Sequence, residues 1–266
     1  MESALMIWSV GLVISGAVIG FFVGMTGVGA GSLTTPLLIS VFGVPAPVAV
    51  GTDLLFAALT KSTAAWRFQK HKYIDWPVLL WLAAGSLPAA FVTLCWLHWA
   101  QPSVAMLAFF IRKGLGVILI LSAIANFAYP WLAGRDQPTG RADAVTPGRE
   151  LPTAALGAVL GCMVVLTSVG AGAIGVAALL VLYPKLSARR LIGTDVVHAI
   201  PLTLMAGLGH LALGSIDLRV LILLLLGSVP GIALGLRVSN GVPEWLVRCG
   251  LAAVLLLAAY MLLMKG

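Results

Sequence analysis

Two aspartates set in apolar runs are the residues of this chain most able to do chemistry. Asp53 stands in Val50-Gly51-Thr52-Asp53-Leu54-Leu55, and Asp195 stands in Ile192-Gly193-Thr194-Asp195-Val196-Val197. A carboxylate within an apolar helix is costly and by default a candidate for handling ions or protons. The same acid in the first turns of a helix can instead cap backbone amides at the favourable end of the dipole. Both readings stay open for both residues. Lys61 follows Asp53 about two turns on, along nearly the same helical face. That is too far for a direct bond, but the two could line one path. Thr203 takes the place of Lys61 in the second half. His198 follows Asp195 at i+3 and shares its face. Such a pair could relay protons, or His198 could be a hydrogen-bonded structural histidine.

The second set of residues is made of glycines. Thr26-Gly27-Val28-Gly29-Ala30-Gly31 precedes Ser32, and Thr167-Ser168-Val169-Gly170-Ala171-Gly172 repeats the pattern. Glycine costs about 1 kcal/mol against alanine in a helix, so these clusters should break the helices that contain them. A break frees backbone amides, and the positive end of the helix that restarts suits an anion. Close helix packing through small residues is the competing account. The site expected from the breaks is Thr26, Gly27, Gly29, Ala30, Gly31 and Ser32 with Thr167, Gly170, Ala171 and Gly172. Thr52, Asp53, Thr194, Asp195 and Lys61 are expected to join it. Asp53, Asp195 and His198 are the candidates for carrying a coupling proton.

The elements that hold these residues are set by composition. Of 266 residues, 61% are hydrophobic and 9% charged, where soluble domains are about 25% charged. The mean hydropathy is +1.08. The apolar runs are long and continuous rather than alternating, which selects membrane helices over a barrel. The amino-terminal run has no basic residue before it and is read as a helix that stays, not a cleaved signal.

Apolar segments are expected at 5–24, 31–43, 46–66, 76–98 and 106–129, then at 152–168, 173–183, 189–211, 218–237 and 245–264. The second of each five is too short for a span of about 20 residues. A polar stretch from Gly134 to Glu150 reads as a cytoplasmic linker between repeats at 1–133 and 151–266. Asp75 with Gly85-Ser86-Leu87-Pro88 and Asp217 with Gly227-Ser228-Val229-Pro230 complete the duplication. Bases follow the third segment in one half (Arg67, Lys70, Lys72) and precede it in the other (Lys185, Arg189, Arg190). The positive-inside rule then favours two inverted repeats of five helical segments, with broken or short helices at the glycine motifs. Lys61 could snorkel to the cytoplasmic surface, and His210 is expected at an interface. Trp66, Trp76, Trp81, Trp96 and Trp99 fit an aromatic belt.

Other classes find little support. The net charge of +7 is spread between spans, so nucleic acid is not an expected partner. The glycine pattern lacks the Lys-Ser/Thr of a phosphate loop. Cys95, Cys162 and Cys249 are expected as small buried hydrophobes. No hydrolytic set and no metal-ligand spacing is present, so no catalytic residue or metal is expected.

The stretches Gly24 to Gly31, Pro36-Leu37-Leu38, Ala49 to Asp53, Tyr73-Ile74-Asp75-Trp76 and Gly85 to Pro88 resemble the sulfite exporter (TauE/SafE-type) family. The resemblance implies a multi-pass transporter of small anions in the bacterial inner membrane, often of sulfur oxyanions or organosulfonates, with no cofactor. Three departures bear on substrate and coupling. Gly29-Ala30-Gly31 stands where the family often has three glycines, Asp53 where serine is common, and Ala177 where the second half lacks a match to Pro36. The expected function is a secondary transporter, an exporter of sulfite or a related anion with proton coupling, in the lipid bilayer and capable of homo-oligomerising. A passive anion channel and a membrane-embedded enzyme or assembly factor are the rivals.

Overall fold

The computed structural model describes residues 2–26, 31–70, 73–133, 148–238 and 243–264. Among these the chain is all helical. The first half holds α1 (Glu2–Thr26), α2 (Gly31–Ser40), α3 (Ala46–Lys70), α4 (Trp76–Ala100) and α5 (Val104–Ala133). The second holds α6 (Glu150–Thr167), α7 (Ala173–Leu182), α8 (Ala188–Ala212), α9 (Leu218–Val238) and α10 (Glu244–Met264). These bounds follow the apolar segments closely. The linker expected at 134–150 lies outside the described residues up to 147, and α6 begins at Glu150.

Seven helices are long and apolar enough to cross a membrane: α1, α4, α5, α6, α8, α9 and α10. Their outward faces carry bare apolar side chains such as Phe91, Phe110, Leu226 and Val229. Such a surface would drive association in water and is the expected one in lipid. The protein is a multi-pass membrane protein. α2 and α7 are ten residues each, about 15 Å of helix and half of a bilayer core. α3 is as long as a span, but it carries Asp53 and Lys61 and is screened by its neighbours.

The halves interlock. α1 packs on α9, α4 on α6, α3 on α8 and α5 on α10, so the first helix of each half lies on the fourth of the other. The first two contacts depend on glycine. A Cβ on Gly20 would strike the Ser228 carbonyl, and one on Gly157 would strike that of Leu82. Without hydrophobic drive between helices in lipid, such backbone approach supplies the packing. Matched helices run head to tail. Gly51 lies against His210 while Leu55 lies against Gly207. Likewise Gly116 meets Leu263 while Arg248 covers the Tyr129 ring at 3.2 Å.

Three expectations are corrected here. Cys95 and Cys162 are exposed and Cys249 is partly so; in lipid the outer face is itself apolar, so a small thiol suits it. His210 is not interfacial but 3% exposed, with Nε2 3.0 Å from the Val165 carbonyl. Lys61 does not snorkel; it is 3% exposed and turned inward. Trp76, Trp81, Trp96 and Trp99 are exposed, as a belt requires.

Candidate functional site

The second glycine cluster forms a true break. α6 ends at Thr167, Ser168 takes a left-handed φ of 61°, and Gly170 and Gly172 take φ of 142° and 131°. Glycine tolerates such values without steric cost. Thr167 stabilises the turn: its hydroxyl donates to the Met163 and Val169 carbonyls, and the Val169 N–H donates to it at 3.3 Å. α7 then restarts at Ala173. In the first half, Gly27, Gly29 and Ala30 lie outside the described residues. The backbone of Thr26 closes α1, and Gly31 and Ser32 open α2.

Lys61 ties the halves together. From α3 it crosses to the second break, where Nζ donates to the Ala171 carbonyl at 3.3 Å. There it lies within Coulombic reach of both Asp195 and Asp53. Asp53 and Asp195 are fully buried. Two carboxyl groups and one amine therefore share a buried interior, where unpaired charge is very costly.

The surroundings of the two acids differ. Thr35, in the first turns of α2, donates to Asp53 Oδ2 at 2.6 Å. The Thr34 and Ser168 hydroxyls approach the same carboxyl, yet they and Asp53 Oδ1 form no hydrogen bond of good geometry. Asp195 instead faces the Gly172 backbone N–H at the amino end of α7, again without a well-formed bond to either oxygen. Its Oδ1 sits so close over Gly175 that a Cβ there would collide with it.

Other expected residues serve elsewhere. Thr52 Oγ1 accepts the Asp217 N–H at 3.0 Å, and Thr194 Oγ1 accepts the Asp75 N–H at 2.8 Å. Each threonine thus holds the amino end of the other half's fourth helix. Asp75 caps α4 through the Val78 N–H and lies 3.2 Å from Arg190 Nε. Asp217 accepts from the Arg219 and Val220 amides at the start of α9. His198 is not bonded to Asp195. Its Nε2 lies 2.7 Å from Ser86 Oγ on α4. An open groove lined by Trp8, Phe42, Pro45, Ile216, Asp217 and Arg219 sits at one end of the molecule and includes none of the buried charges.

Sequence reasoning missed Thr34, Thr35, Ser168, Gly175 and Ser86. The signal was a comparison of the halves: Thr34-Thr35 align with Gly175-Val176, and Ser168 aligns with Gly27.

A bundle of lipid-facing helices around a broken-helix core, with buried charges at the breaks, defines the class of multi-pass membrane transporter. The family model for the sulfite exporter TauE/SafE matches residues 12–262, and the chain belongs to that family. It is 34% identical over 231 residues to the Probable membrane transporter protein YjnA of Bacillus subtilis (strain 168), covering 87% of this chain and 90% of that one. It is 24% identical over 249 residues to the Probable membrane transporter protein YdhB of the same organism, covering 92% and 96%. No solved structure matches it.

Proposed function

We propose that this transporter moves a small oxyanion of sulfur, sulfite or an organosulfonate, outward across a bacterial inner membrane by secondary transport rather than catalysis. The observation that carries the reading is Lys61, which crosses from one half into the break of the other and meets Ala171 between two buried acids. An ammonium fixed beside an unwound backbone gives an anion both a counter-charge and free amides. The head-to-tail pairing of matched helices supports inverted halves, as in transporters built from inverted repeats.

Charge counting supports coupling. Ionised Asp53 and Asp195 outnumber Lys61, so an arriving anion would deepen a negative excess. A proton taken up by Asp195 removes it. The Asp195 carboxylate faces the same amino end of α7 that an anion would use, so protonation frees that place for substrate. Thr52, Thr194 and Thr167 position the helices, and the substrate contacts fall to Gly170, Ala171, Gly172, Lys61 and the matching residues Gly29 to Ser32.

The test is flux into liposomes holding the purified protein, with sulfite, thiosulfate, sulfoacetate and sulfate compared. Saturable uptake of one sulfur oxyanion, abolished in Lys61→Met, is expected. No flux of any of them, or full flux in Lys61→Met, would overturn the reading.

A further inference from the structure

We infer that the pocket around Asp53 is a binding site for a monovalent cation, of the size and hardness of sodium. Four oxygen-bearing side chains from three parts of the chain converge there: Thr34 and Thr35 of α2, Asp53 of α3, and Ser168 at the second break. All are at least nine-tenths buried. Thr35 is satisfied by its bond to Asp53 Oδ2. Asp53 Oδ1, Thr34 Oγ1 and Ser168 Oγ are not. Thr34 and Ser168 reach the carboxyl only at the margin of hydrogen-bond geometry. Buried polar atoms almost always find a full partner, so three under-satisfied oxygens around one carboxyl point to an occupant.

The chemistry of the donors selects its charge. The three are a carboxylate oxygen, which only accepts, and two hydroxyl oxygens, whose lone pairs can be turned inward. Ser168 stands directly at the carboxyl end of α6, the negative end of the dipole. In transporters with broken helices, such half-helix ends and hard oxygens hold coupling cations. A single carboxylate suits one positive charge, whereas divalent ions gather more acids or keep several waters. The nearby charged groups agree. Lys61 lies within Coulombic reach of both acids, and its Nζ is spent on the Ala171 carbonyl at the second break.

Asp195 is the internal control. The positions matching Thr34, Thr35 and Ser168 are Gly175, Val176 and Gly27, so no hydroxyl stands at those places in the other half. Binding at Asp53 does not depend on which anion is moved, although its role in coupling rests on the transport reading above.

The experiment is the thermal stability of the purified full chain in sodium, potassium and choline chloride at equal ionic strength, without any sulfur anion. A ligand of the folded state raises its apparent stability by mass action. A saturable rise of several degrees with sodium over choline is expected at fixed pH. It should vanish in Asp53→Asn and persist in Asp195→Asn. Thr34→Val removes a marginally bonded hydroxyl at nearly constant volume, and Ser168→Gly also suits the left-handed φ. Each should raise the half-saturating sodium concentration about tenfold, even if Asp53→Asn fails to fold. Equal stability in all three salts would overturn the inference. So would a rise that follows pH instead of sodium, or one unchanged in Thr34→Val and Ser168→Gly. Chloride is constant throughout, so a negative result here leaves the sulfur-anion reading standing.

Discussion

Asp53 and Asp195 occupy the same place in a duplicated sequence, yet they sit in opposite chemical company. Asp53 is ringed by hydroxyl oxygens from α2 and the second break. Asp195 faces a backbone N–H and lies over bare Gly175. The two halves of the sequence repeat the acid but not its neighbours. The oxygen-rich side suits a cation. The side with N–H groups and an ammonium suits an anion once Asp195 is neutral. On the proposed reading, substrate and coupling ion take separate places within one core.

The largest effect that would break this comparison comes from the charge the two sides share. Lys61→Met should abolish anion flux and lower stability by about 3–5 kcal/mol, the cost of stranding a buried charge, read as a drop in Tm. Next come the neighbours that keep the sides different. Gly175→Ala drives a Cβ into Asp195 Oδ1 and should cost about 1–3 kcal/mol by overpacking; flux should fall while sodium still stabilises the protein. Thr52→Val and Thr194→Val each strand one backbone N–H of the other half, costing about 1–3 kcal/mol where that group is buried. Equal losses in denaturant melts would mark the two threonines as matched structural ties. Smallest is Thr34→Val. Its hydroxyl makes only a marginal contact with Asp53, so stability without sodium should change by about 1 kcal/mol or less, with the sodium response altered most.

The helices were legible because lipid-facing runs are apolar throughout and glycine, proline or charge interrupts them sharply. Asp53, Lys61 and Asp195 stood out because a charge in such a run is rare. What stayed hidden depended on contacts between distant segments. Nothing local says that Lys61 turns inward to Ala171, or that Thr52 and Thr194 spend their hydroxyls on the opposite half. His198 shares a helical face with Asp195, but its partner is Ser86 on another helix. His210 looked interfacial because it ends an apolar run, yet α8 is the most enclosed of the spans. The pocket at Asp53 was readable in principle. Its hydroxyls are the positions at which the two halves disagree beside a matched acid.

The most direct test of unequal acids is sulfite flux in liposomes holding wild type, Asp53→Asn or Asp195→Asn, with sodium and proton gradients imposed separately. Wild type should respond to both gradients. Asp53→Asn should lose the sodium response and keep the proton response, and Asp195→Asn should do the reverse. If both variants lose both responses together, or neither loses either, the two acids do not divide the work and the account is contradicted.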